Sequence, residues 1–131
     1  MNDFLTPDYI TAVASTIMDQ IKATTPWSVR GSWGAHNWQA TIHRDMAALA
    51  FKVSGLIHKG SVYVAYNEGY DTYEIFLYNS RGALKKHIED VYCDNLGHIL
   101  DVEIERGTMP EDDYQREALA DSAKKIGAEI I

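Results

Sequence analysis

The segment Val62-Tyr63-Val64-Ala65-Tyr66-Asn67-Glu68-Gly69-Tyr70-Asp71-Thr72-Tyr73-Glu74-Ile75-Phe76-Leu77-Tyr78 decides the fold class. Val62, Val64 and Tyr66 recur at every second residue, and so do Tyr73, Ile75 and Leu77, with Thr72, Glu74, Phe76 and Tyr78 on the opposite side. A period of two in β-branched and aromatic residues is the signature of half-buried strands. Asn67-Glu68-Gly69-Tyr70 between them is a turn too short for a crossover, so the two strands pair antiparallel.

The same pattern extends outward in both directions. Leu49, Phe51 and Val53 share a face in a strand predicted from Ala47 to Ile57, with Lys59-Gly60 as the hairpin tip. Asn79-Ser80-Arg81-Gly82 turns the chain into a strand over Ala83 to Tyr92. Further upstream, Trp38, Ala40 and Ile42 alternate, and so do Trp27, Val29, Gly31 and Trp33, with Gly34-Ala35-His36-Asn37 read as the turn between those two strands. Short connections throughout make an antiparallel meander of about five strands.

Helical spacing flanks this sheet. Thr6-Pro7-Asp8 supplies a capping hydroxyl, a pre-set φ and a charge suited to a helix N-terminus. Ile10, Val13, Ala14, Ile17 and Ile21 then form one stripe, giving a helix over 7–23 that ends at Thr24-Thr25-Pro26. After the sheet, Asp94 reads as an N-cap, Leu96, Ile99, Leu100 and Ile104 as a stripe, and Gly107 as the stop. Thr108-Met109-Pro110-Glu111 opens a second C-terminal helix carrying Tyr114, Ala118, Leu119, Ala123 and Ile126. The predicted fold is a single α+β domain over 1–131: an N-terminal helix, the meander sheet, and two C-terminal helices packed on one face.

With 46% hydrophobic and 24% charged residues, the chain has the composition of a globular domain. Its net charge of −7 argues against a general binder of duplex DNA. The charge is unevenly placed: residues 1–88 carry eight basic against seven acidic side chains, a net of +1, while 89–131 carry four against twelve, a net of −8. Solvated outer faces of the C-terminal helices account for much of this, with Glu103, Glu105, Asp112 and Asp113 off the apolar stripes; an acidic surface that meets a basic partner is the functional counterpart. The single cysteine, Cys93, excludes an internal disulfide. Met1 to Leu5 does not resemble a signal peptide, and no apolar run approaches the length of a membrane span, so the expectation is a cytoplasmic protein with no membrane association.

No set of residues specifies a chemistry, so no catalytic residue, metal ligand or cofactor is assigned. His36, His43, His58, His87 and His98 show no metal-ligand spacing, and Glu68 with Asp71 offers only two carboxylates. Cys93 precedes a helix start, where a thiolate is favoured, yet a single cysteine at a strand-to-helix junction is more often core. His36 and Cys93 are therefore the centres of an enzyme alternative. The leading expectation is a small non-enzymatic accessory or regulatory protein acting through protein–protein contacts, with a basic partner or a second copy of itself. Its contact residues are expected at Trp33, His36 and Trp38 in the tryptophan-rich hairpin and at Phe76 and Tyr78 on the sheet, since aromatic side chains are enriched at interface hot spots. The nucleic-acid alternative is an acidic mimic, or a single-strand binder whose aromatic sheet face lies beside Arg81, Lys85 and Lys86.

Overall fold

The computed structural model describes residues 4–106. Within them run α1 (Pro7–Thr24), α2 (Trp27–Ser32), β1 (His36–His43), β2 (Met46–Ser54), β3 (Lys59–Asn67), β4 (Thr72–Asn79), β5 (Leu84–Val91) and α3 (Leu96–Asp101), which continues into a π-helical turn over Val102–Arg106. The sheet is an antiparallel meander in the order β1-β2-β3-β4-β5. The fold is α+β, and the second C-terminal helix expected after Gly107 lies outside the described residues.

The start of α1 follows its sequence: the Tyr9 amide donates to Thr6 Oγ1 at 3.2 Å, with Pro7 in the first turn. Ala14, Ile17 and Ile21 turn onto the sheet, and α1 packs against β1, β2 and α3. One face of the sheet contributes Leu49, Phe51, Val53, Val62, Val64, Ile75 and Leu77 to the core, closed from above by Ile17, Ile21, Trp33, Leu96, Leu100 and Ile104. Burying a side chain of this size is worth about 1.5–3 kcal/mol. This layer therefore supplies most of the driving force among the described residues.

Five expectations are corrected. Trp27–Trp33 is not a strand: Trp27–Ser32 is helical, because Pro26 at its N-cap has φ −63° and Arg30 Nη1 donates to the carbonyls of Lys22 and Thr25 at the end of α1. Helical spacing puts Val29 and Trp33 on one buried side and leaves Trp27 60% exposed, where alternation would have grouped all three. The β2–β3 connection is Gly55-Leu56-Ile57-His58, not Lys59-Gly60, which pair with Ser54 and Val53. That loop is clamped by the π-helical turn: Ile104 O accepts from the Ile57 and His58 amides, and Glu105 Oε2 accepts from the Leu56 amide at 2.7 Å.

Glu105 is consequently buried rather than on a solvated face, since a turn wider than 3.6 residues shifts the phase of the stripe after Asp101. The capping position before α3 is Asn95, not Asp94, and Asn95 Oδ1 accepts from the Tyr92 amide instead of capping the helix. Cys93 is exposed rather than core. None of the described helices is long and apolar enough to cross a membrane.

Candidate functional site

The alternation that turns Tyr73, Ile75 and Leu77 to the helices turns Glu74, Phe76 and Tyr78 to the second face of the sheet. Phe76 is fully buried there with Ala48 and Ala65, and Met46, Tyr63 and Tyr78 pack around them. Every member of this cluster is a strand residue. Small alanines on β2 and β3 leave room for large rings from β1, β4 and β5 to meet across them.

Those rings form a continuous row. His43, at the end of β1, stacks on Tyr63 with centroids 4.4 Å apart, and its Nε2 is 2.8 Å from the Tyr78 hydroxyl. Its edge meets Phe76 at 4.5 Å. On β5, His87 stacks on Phe76 at 4.2 Å and 15°, as the register Phe76↔His87 requires. Arg44 and Asp45 form the two-residue β1–β2 turn with φ of 50° and 62°, the twist suited to a tight hairpin, and this brings the Arg44 guanidinium to 4.7 Å from the Phe76 ring centre. Burial first, then Arg44 and His87, holds the His43 imidazole below its ordinary pKa.

Beyond His87 the row becomes acidic. Glu74 is buried, with Oε1 2.7 Å from His87 Nε2 and Oε2 accepting from Asn67 Nδ2 at 2.9 Å. Glu89 Oε1 lies 3.8 Å from the same His87 nitrogen. Irregular β4–β5 pairing at Tyr73/Ile75 and a left-handed Asp90, φ 58°, open the sheet at this point. The result is a cleft of about 330 Å³ lined by Asn67, Tyr70, Thr72, Glu74, Glu89 and Asp90. It contains three carboxylates and no lysine or arginine, and Tyr70 beside it is 79% exposed.

A second depression of about 330 Å³ runs between α1 and the sheet, with Thr16, Gln20, Tyr66 and Tyr73 among its walls. Its phenols stay protonated. The Tyr66 hydroxyl donates to Asp71 Oδ1 at 2.7 Å and is pushed up to about 12 chiefly by that bond, and burial raises Tyr73. The groove also holds the Asp71 carboxylate, one oxygen of which is taken up by the Tyr66 hydroxyl.

The residues singled out from sequence are scattered between the two faces. Trp33 is fully buried, its indole Nε1 donating to Asp101 Oδ1 at 3.0 Å. Trp38 is half-buried and stacks on core Phe51 at 4.2 Å. His36 is exposed, with Nδ1 2.9 Å from Gly34 O. Phe76 and Tyr78 belong to the second-face row, so the tryptophans and this pair do not meet. Among the basic set, Arg81 and Lys85 are exposed, while Lys86 reaches the helix side of the sheet to bond Glu103 at 2.7 Å. The sequence reading missed Glu74, His87 and Glu89 as a group. Their signal was present: the Asn79–Gly82 turn sets Phe76 opposite His87, which brings the neighbouring outward positions Glu74 and Glu89 to the same place.

No family model matches the chain, and no match to a curated protein or to a solved structure was found.

Proposed function

We propose that this is a small non-enzymatic accessory or regulatory protein that docks a basic segment of a protein partner in the acidic cleft on the second face of the sheet. The observation that carries the reading is the cleft's composition: Glu74, Glu89 and Asp90 without a neutralising lysine or arginine, and an exposed Tyr70 ring at the rim. A partner's lysine or arginine head complements the carboxylates, and its stem or charge can lie on the tyrosine face. The adjoining His43, Tyr63 and Tyr78 extend the contact area with residue types suited to interfaces.

Titration with a short lysine–glycine peptide tests this, with the glutamate–glycine peptide as control. The lysine peptide should bind, and binding should weaken as salt rises. Tyr70→Ala, or Glu89→Gln with Asp90→Asn, should lower affinity at least about tenfold, equivalent to about 1.4 kcal/mol. Equal binding of both peptides, or indifference to these substitutions, contradicts the proposal.

A further inference from the structure

We propose that Glu74, His87 and Glu89 form a binding site for a divalent transition-metal ion of the zinc type. Among the described residues, one donor atom from each of these three side chains lies within 4.8 Å of the other two. The set spans two strands and is held in place from outside. Asn67 Nδ2 fixes the distal oxygen of Glu74, and the Phe76 ring, stacked at 4.2 Å, fixes the plane of the His87 imidazole. Such outer contacts are what orient ligands in established metal sites.

The distances suit an ion after small movements. Ligands about 2.0–2.2 Å from a tetrahedral zinc stand roughly 3.4 Å from one another. His87 Nε2 to Glu74 Oε1 must open from 2.7 Å, and His87 Nε2 to Glu89 Oε1 must close from 3.8 Å. The larger change falls between His87 and Glu74, and the smaller one falls to Glu89, whose side chain is 67% exposed and free to move. His87 would bind as the tautomer protonated at Nδ1, its Nε2 lone pair directed at the ion. The cleft, lined by Glu74 and Glu89, gives a route of entry and room for water in the remaining coordination position. An imidazole with two carboxylates favours zinc, nickel or cobalt over magnesium or calcium, which select oxygen donors.

This inference shares Glu74 and Glu89 with the docking proposal but needs His87 and not Tyr70 or Asp90, so Tyr70→Ala and His87→Ala tell the two apart. Zinc alone, titrated into the full chain against a chromophoric chelator, tests it. One equivalent should bind and resist excess magnesium. Glu89→Gln, a surface change, should weaken binding at least about tenfold, and His87→Ala should abolish it. Cys93→Ser with His98→Ala should leave it unchanged. Failure of the wild-type chain to bind zinc overturns the proposal, as does displacement by equimolar magnesium. So does binding that survives Glu89→Gln yet disappears in the Cys93→Ser, His98→Ala chain. Should His87→Ala fail to fold, Glu89→Gln decides the question.

Discussion

Replacing Trp33 by Phe probes the contact that joins α2 to the end of α3. Trp33 and Asp101 are both buried, and the indole donates to the carboxylate at 3.0 Å. Losing a hydrogen bond to a charged group costs about 1.5–3 kcal/mol net. Phenylalanine also leaves a void of roughly 40 Å³, which at about 24 cal/mol per Å³ adds roughly 1 kcal/mol. The expected destabilisation is therefore about 2.5–4 kcal/mol, a large share of the 5–15 kcal/mol typical of a domain. In urea unfolding with a slope of about 1–3 kcal/mol/M, the midpoint should drop by about 1–4 M with an unchanged slope. Asp101→Asn should couple to Trp33→Phe in a double-mutant cycle by about 1 kcal/mol or more. A loss under about 1 kcal/mol for Trp33→Phe, with no coupling, would refute the reasoning that this bond and ring anchor the helical layer.

Three further outcomes follow from particular contacts. A Cβ on Gly97 would stand 2.2 Å from Thr24 Oγ1 and 2.6 Å from Thr25 Cγ2, so Gly97→Ala should cost about 3 kcal/mol by thermal or urea unfolding. The Lys86–Glu103 pair is partly exposed, and Lys86→Met should change stability by less than about 1 kcal/mol in the same measurement. Burial lowers the pKa of His58, so between that lowered value and the unfolded value of about 6.5 the unfolded chain holds more protons than the folded one. Stability should accordingly fall as pH drops below about 6.5, by about 1.4 kcal/mol for each unit of depression, and His58→Gln should flatten this slope. An identical slope in the variant would show that His58 is not its source.

The sheet was readable because β2, β3 and β4 keep a period of two between turn residues, and that period also set Phe76 and Tyr78 opposite Tyr73, Ile75 and Leu77, without saying which side the helices cover. Trp27–Trp33 was misread because a six-residue helix shows too few turns for its period to differ from alternation. Only Pro26 and the Arg30 contacts, which are tertiary, settle it. Glu105 was misread because the π-helical turn changes the helical phase, and nothing in the local residues announces that turn. The acidic cleft joins Tyr70 of the β3–β4 turn with residues of β3, β4 and β5 across irregular β4–β5 pairing, so its convergence depends on register and not on any contiguous motif. Charge arithmetic had located the excess of acids after residue 88 but assigned it to helices, whereas Glu89 and Asp90 line the sheet cleft.

The most direct test of the docking proposal is amide chemical-shift mapping of the isotope-labelled chain during titration with the lysine–glycine peptide. The account predicts dose-dependent shifts centred on Asn67, Tyr70, Thr72, Glu74, Glu89 and Asp90, with the amides of Ile17 and Ile21 in α1 unmoved. Shifts centred on α1, or none in the cleft at saturating peptide, would contradict it.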